Sequence, residues 1–199
     1  MSDIDKQARG RAIFLDRDGV INVERNYVHR IEDFEYLPGA LPGLRLLAAQ
    51  GFQLVVVTNQ SGIGRGLYSE AQFEKLNTYM MASLLSEGIS ISAIYFCPHH
   101  PTEGIGKYRS ECECRKPKPG MLLRAAKEIG IDLRSSVLIG DKRSDIAAGH
   151  SAGVGTCVLV RTGHAVSQTD IDFSHVCLPD LPAAAEWLKA RDGGKQRMM

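Results

Sequence analysis

The sequence predicts an α/β protein, a three-layer α/β/α sandwich around a mostly parallel sheet. Three observations lead there: five short apolar runs, helical stretches between them, and polar or glycine-bearing turns directly after the runs. Parallel neighbours need long crossover connections, which are usually helical, so this alternation points to parallel pairing.

The runs are Ala12–Leu15, Phe52–Val57, Ile91–Phe96, Val137–Ile139 and Thr156–Val160. Each is short enough for a buried strand. Between the first two, "LPGALPGLRLLAAQG" repeats leucine at helical spacing and stops at Gly51. "SEAQFEKLNTYMMASLLSEG" opens with Ser69 and Gln72 in the order of a capping box. "KPGMLLRAAKEIG" carries Pro119 where a first helical turn tolerates it, and "RSDIAAGHSAG" reads as a shorter helix ending near Gly153. The stretch from Cys97 to Pro119 breaks the rhythm. It is too polar and proline-rich for a helix and too long for an ordinary connection, so it needs an internal staple. Residues 1–11 read as a polar N-terminal segment, 12–190 as one domain and 191–199 as a flexible tail.

Composition narrows the function. Of 199 residues, 24 are Lys or Arg and 23 Asp or Glu, a net charge of +1. That near-balance argues against a nucleic-acid or anionic-membrane partner, so any anion must be held locally. The N-terminus has no apolar signal core, and no run approaches the roughly 18 apolar residues of a membrane span, so a cytoplasmic location is expected. Three of the five cysteines fall between Cys97 and Cys114, which favours metal over disulfide.

In an open parallel sheet, ligands bind beyond the carboxyl ends of the strands. There the first run delivers Asp16 and Asp18, the second Thr58 and Asn59, and the fourth Asp141, Lys142 and Asp145, while "CRKPKPG" adds Arg115 and Lys116. Asp16, Asp18 and Asp141 brought together would repel one another. A hard divalent cation is the natural compensation, and Mg²⁺ prefers oxygen ligands while leaving positions for a phosphate. One carboxylate could then attack phosphorus while a second moves the proton. Each motif alone is an ordinary turn or helix cap; their conjunction carries the reading.

The irregular stretch contains a C-x-H pair, Cys97 and His99, and a C-x-C pair, Cys112 and Cys114. Three thiolates and an imidazole make a closed tetrahedral shell, the donor set of structural Zn²⁺. By residue type, His100 could replace His99. Such a staple would hold Arg115 and Lys116 at the site rim. Cys157 and Cys177 lie in apolar contexts and read as inert thiols. His29, His150, His164 and His175 belong to no motif.

"FLDRDGVIN", "VVVTNQSGIGRG", "CRKPKPGM" and "IGDKRSD", with "YVHRIEDFEYLPG" and "CPHHP", resemble the haloacid dehalogenase-like phosphatases. The resemblance runs from Ala12 to Trp187 and is nearest to the branch that dephosphorylates sugar bisphosphates for bacterial glycans. It implies a Rossmannoid sandwich without a large cap domain, with Asp16 as nucleophile, Asp18 as general acid/base and Asp141 as a third Mg²⁺ ligand. Asp18 would touch the metal through its backbone carbonyl. Thr58 and Lys116 would steady the phosphoryl group. By the same resemblance Glu24, Arg25, Asn26, Tyr27, Asn59, Gln60, Ser61, Arg115 and Lys142 would hold the sugar and its second phosphate. The expected partner is a small sugar phosphate, and the expected state a monomer. Val20 stands where many members carry threonine, leaving the metal ligands untouched. Two rivals remain. Histidinol-phosphate phosphatases share the four motifs and the zinc loop, while phospho-acceptor signalling modules also use strand-end aspartates, in a different order.

Overall fold

The computed structural model describes residues 10–196. Apart from Gly10 and Arg11, the polar N-terminal segment lies outside the described residues. Strands β1 (Ala12–Leu15), β2 (Gln53–Asn59), β3 (Ile91–Cys97), β4 (Val137–Gly140), β5 (Thr156–Val160) and β6 (Val176–Leu178) form one sheet. Its order is β3-β2-β1-β4-β5-β6, with every neighbouring pair parallel. The five expected strands are present. The sixth has three half-buried residues and pairs only with β5, so it makes no recognisable apolar run.

Helices α1 (Ala40–Ala49), α2 (Ser61–Gly64), α3 (Glu70–Ser86), α4 (Gly120–Glu128), α5 (Arg143–Ala152), α6 (Gln168–Phe173) and α7 (Leu181–Gln196) connect and cover the strands. Ser69 caps α3 as expected: its Oγ accepts from the Gln72 N–H at 3.2 Å, and the Gln72 Oε1 accepts from the Ser69 N–H at 2.9 Å. Helix α7 runs through residues 191–196, where the sequence reads as flexible tail. Its earlier turns bury Leu181, Ala184, Ala185 and Leu188, and the helix extends from that anchored start.

The two faces of the sheet bury alternate side chains. Ile13, Leu15, Leu54, Val56 and Ile139 pack on the side of Leu44 and Leu47 of α1, Met80 and Leu84 of α3, and Leu188 of α7. Phe14, Val55, Val57, Leu138 and Leu159 pack on the other, with Met121, Leu122 and Ala125 of α4 and Ile146 of α5. The period-two alternation of a strand produces both cores, and each fully buried Leu or Ile adds about 1.5–3 kcal/mol. Beside the β5–β6 edge, the Cys157 N–H donates to His175 Nδ1 at 3.1 Å while the His175 N–H donates to the Cys157 carbonyl at 3.0 Å. The imidazole thus satisfies a backbone donor at the end of the ladder. The Cys157 thiol itself is buried, and burial pushes its pKa up to about 12, which makes it inert.

Strand order runs one way from β1 through β2 to β3 and the other way from β4 to β6. The crevice between β1 and β4, at their carboxyl ends, is the switch point where such sheets bind ligands. Among the described residues no separate cap domain is inserted, and no helix is long and apolar enough to cross a membrane.

Candidate active site and metal loop

Asp16 follows β1, Thr58 and Asn59 end β2, Asp141 follows β4, and Asp145 lies in the first turn of α5. Carboxylate oxygens of Asp16, Asp141 and Asp145 lie within 4.8 Å of one another. Lys116 reaches into this group: its Nζ stands 3.0 Å from Asp16 Oδ1 and 2.7 Å from Asp145 Oδ1, and donates to the Val57 carbonyl at 2.7 Å. All four side chains are buried.

Three buried carboxylates around one ammonium leave excess negative charge. Burial pushes Asp16 up to about 7, with Lys116 pulling against it and Asp145 and Asp141 reinforcing it. Burial and Asp145 raise Asp141 as well. For Lys116, burial favours the neutral amine, but Asp145 and Asp16 outweigh it and hold the ammonium. Asp141 Oδ1 is buried and makes no hydrogen bond. An unpartnered carboxylate oxygen beside two further carboxylates fits a hard, oxygen-seeking divalent cation such as Mg²⁺.

A pH dependence follows. A carboxyl raised in the fold contributes stability below its unfolded pKa near 4 and loses it as pH climbs through about 7. The metal-free protein is therefore expected to weaken over that window, while Mg²⁺, which must displace the proton, binds more tightly. Calorimetric titration of metal-free protein should show Mg²⁺ affinity rising from about pH 5.5 to 7.5 and then levelling. A flat profile would contradict the raised Asp16 carboxyl.

The Asp18 carboxylate lines the same cavity but is engaged by other partners. Arg17 Nη2 donates to both of its carboxylate oxygens at 3.0 Å, Asn22 Nδ2 to Oδ1 at 3.0 Å and Gln60 Nε2 to Oδ2 at 3.0 Å. Burial pushes this carboxyl up, but Arg17 and the hydrogen bonds from Asn22 and Gln60 outweigh it and hold it below the usual range. The side chains that meet are thus Asp16, Asp141 and Asp145, and Asp18 has only its backbone left to offer the cation. The sequence reading gave Asp145 no metal role. Helix geometry brings it to the other two carboxylates, because α5 starts beside β4 and its first turn points Asp145 back at the strand end, where Gly140 leaves the space.

Several residues expected to touch the sugar have other partners. Asn59 brackets the Lys116 backbone: its Nδ2 donates to the Lys116 carbonyl at 3.0 Å, and its Oδ1 accepts from the Lys116 N–H at 3.1 Å. Gln60 is buried and bonds Asp18 and Thr58. Ser61 opens the one-turn α2. Arg115 donates to the His99 carbonyl at 3.2 Å. Glu24 and Lys142, 3.8 Å apart, line one narrow cavity with Asp16, Asp18, Thr58 and Lys116. Arg25, Asn26 and Tyr27 instead line a separate cavity of about 500 Å³, and Arg25 pairs with Glu35. Asn26 and Tyr27 have φ of 54° and 65°, left-handed values uncommon for side-chain-bearing residues, in a turn where Glu24 Oε1 accepts the Asn26 N–H at 2.8 Å. His164, which belongs to no motif, puts Nδ1 2.6 Å from Asp141 Oδ2. Only folding of the loop after β5 reveals that contact.

In the irregular loop, Cys97 Sγ lies 3.5 Å from Cys112 Sγ and 3.6 Å from His99 Nδ1, while Cys114 Sγ lies 3.3 Å from Cys112 Sγ and 3.4 Å from His99 Nδ1. A tetrahedral zinc with Zn–S near 2.3 Å separates its sulfurs by about 3.8 Å, so the four atoms fit such an ion after a small expansion. His99 is selected over His100, whose Nδ1 accepts from the Glu103 N–H at 3.0 Å and whose Nε2 meets Arg65 at 3.2 Å. Hydrogen bonding to Cys97, then to Cys112 and His99, draws Cys114 down to about 5 against the effect of burial, while the same bond and burial push Cys97 up, so without metal the pair favours one thiolate, at Cys114.

Known proteins resemble this chain in sequence and in fold. A family model described as HAD-hyrolase-like matches residues 113–182. The D-glycero-beta-D-manno-heptose-1,7-bisphosphate 7-phosphatase of Yersinia pestis is 48% identical over 183 residues, covering 90% of this chain and 96% of that one. The chain belongs to this heptose bisphosphate phosphatase family. Its Escherichia coli (strain K12) member is 49% identical over 176 residues, covering 87% of this chain and 92% of its own. The crystal structure of D,D-heptose 1.7-bisphosphate phosphatase from B. bronchiseptica, complexed with magnesium and phosphate, superposes with a TM-score of 0.77 at 32% identity, covering 91% of this chain and 99% of that one. The family makes this chain a phosphoric monoester hydrolase, with a HAD-like fold.

Proposed function

We propose that this chain removes the C7 phosphate of D-glycero-beta-D-manno-heptose 1,7-bisphosphate, leaving heptose 1-phosphate for ADP- or GDP-heptose and lipopolysaccharide core synthesis. The observation that carries the reading is the buried Asp16–Lys116–Asp145 cluster with Asp141, in a chain about half identical to named enzymes of that activity. Magnesium held by Asp16, Asp141 and Asp145 and by the Asp18 carbonyl would neutralise the phosphoryl oxygens and orient phosphorus towards Asp16. Asp16 Oδ attacks phosphorus, the ester bond breaks, and the leaving C7 oxygen takes a proton from Asp18. Asp18 next removes a proton from water, which attacks the aspartyl-phosphate, and the Asp16 carboxylate leaves as inorganic phosphate is released. Lys116 and Thr58 stabilise the transferring group.

Asp18 is ionised while bidentate to Arg17, so its acid half-reaction requires that pairing to loosen when substrate arrives. Asn59 serves by holding the Lys116 backbone. Glu24 and Lys142 line the mouth, and Arg25, Asn26, Tyr27, Ser61 and Arg115 form the surrounding sugar-binding loops. Zinc at Cys97, His99, Cys112 and Cys114 is structural. The enzyme works as a cytoplasmic monomer with neither nucleic acid nor membrane as partner. The test is a steady-state comparison of the β- and α-anomers of the bisphosphate with histidinol phosphate. The β-anomer should have the highest kcat/KM, and preference for histidinol phosphate would overturn the substrate.

A further inference from the structure

Beneath Asp18 and Thr58 lies a buried relay that the catalytic scheme does not use. The Tyr68 hydroxyl donates to Gln60 Oε1 at 2.5 Å, and Gln60 Nε2 donates to Asp18 Oδ2 at 3.0 Å and to Thr58 Oγ1 at 2.8 Å. Gln60, Tyr68 and Thr58 are 3%, 5% and 1% exposed, so water does not compete for these bonds. The Gln60 backbone is also anchored, its N–H donating to the Cys97 carbonyl at 2.8 Å. The Tyr68 ring is held by parallel stacking with His29 at 4.7 Å and by Gly62, where an added Cβ would come within 2.1 Å of Tyr68 Cε1.

A primary amide has two chemically opposite ends, and only one suits this place. With the NH₂ group towards the site, one hydrogen meets the Asp18 carboxylate and the other the Thr58 hydroxyl oxygen. Thr58, already accepting from Gln60, is left to donate its own proton outward. Flipped, the amide would set its carbonyl against a carboxylate and take the Thr58 proton for itself. The acceptor-only Asp18 carboxylate selects between the two, and Tyr68, whose hydroxyl can donate or accept, then locks the selected orientation by donating to the carbonyl end.

We infer that Gln60 and Tyr68 are positioning residues: Tyr68 fixes the Gln60 amide so that it aims the Asp18 carboxylate and turns the Thr58 hydroxyl proton towards the phosphoryl oxygens. This rests on the roles of Asp18 and Thr58 given under the proposed function. It assigns Gln60 to the proton-transfer and phosphate-holding groups instead of the sugar.

The test is a double-mutant cycle of Tyr68→Phe and Gln60→Leu on the metal-loaded protein. Heptose bisphosphate and 4-nitrophenyl phosphate serve as substrates, with calorimetric binding of inorganic phosphate as a readout independent of turnover. Tyr68→Phe keeps the ring and should lower kcat on heptose bisphosphate about tenfold, with KM rising no further than phosphate affinity falls. The first phosphoryl transfer from 4-nitrophenyl phosphate should suffer less, because that leaving group needs no proton. Phosphate affinity should fall severalfold in both variants, since Thr58 no longer donates reliably. Gln60→Leu should cost about a hundredfold in kcat, and adding Tyr68→Phe to it should cost nothing further. Additive losses, or full kcat and phosphate affinity in Tyr68→Phe, would overturn the relay. If Tyr68→Phe does not fold, Gln60→Glu decides: it places an acceptor against Asp18 and Thr58, and retention of phosphate affinity and kcat would refute the inference. Wild-type failure on heptose bisphosphate alone would sink the substrate reading while leaving the cycle measurable on 4-nitrophenyl phosphate.

Discussion

Asp16→Asn is expected to lower turnover by at least about 10⁴-fold while leaving the protein folded. The amide keeps the shape of the side chain but cannot form the acyl-phosphate, and no neighbour can take over. The Asp145 carboxylate is held by Lys116 and by the Lys142 N–H, and Asp18 by Arg17. The stability outcome is informative in its own right. In the metal-free protein Asp16 is a buried carboxyl whose ionisation is resisted by burial and by Asp145 and Asp141. Substituting a neutral amide removes that repulsion, although it also gives up the contact with Lys116. At pH 8 and without Mg²⁺ the variant should melt no lower than the parent. Two measurements check this: rapid-quench detection of phosphoprotein, present in the parent and absent in the variant, and paired melting curves in chelator. Substantial turnover by Asp16→Asn would remove the nucleophile from the mechanism.

Cys112→Ser is expected to act on the loop first and on catalysis through it. Cys97 and Cys112 are 15 residues apart in the chain, and a cross-link closing a loop of that length contributes about 3 kcal/mol. For a chain of this size such a loss lowers Tm by about 6–12 °C. Strong chelation of the parent protein should give a similar shift, and chelation of the variant little more. Arg115 and Lys116 follow directly on Cys114, and Arg115 is tied to the His99 carbonyl, so a loosened staple frees the approach of Lys116 to Asp16. kcat should therefore fall together with Tm. Melting curves with elemental analysis of bound zinc decide the matter. An unchanged Tm in a zinc-free variant would show that the loop is held without the metal.

Both outcomes turn on features of different visibility in the primary structure. The five principal strands, the α3 capping box and the acidic strand ends were legible because each is local: burial on both faces writes a continuous apolar run, and an N-cap needs particular residues three apart. The C-x-H and C-x-C pairs were legible for a related reason, since the donor types and their close spacing survive in one dimension. Strand β6 and the helical continuation of α7 past Arg191 were not, because a short edge strand carries little apolar signal and Gly193 and Gly194 are poor helix formers.

Within the site the division is sharper. The chain on its own specified which chemical groups stand at the strand ends: Asp16 and Asp18 after β1, Thr58 and Asn59 at the end of β2, Asp141 after β4, with Lys116 beside the zinc loop. Tertiary structure alone decided how they pair: Asp145 joining the carboxylates, Asp18 turning to Arg17, His99 taking the place open to His100, His164 meeting Asp141, and Asn59 and Gln60 facing inward. The physical reason is directional. Residue type and strand position set what a side chain can donate or accept, but a hydrogen bond needs distance and angle, and those arise only when segments far apart in sequence pack against one sheet.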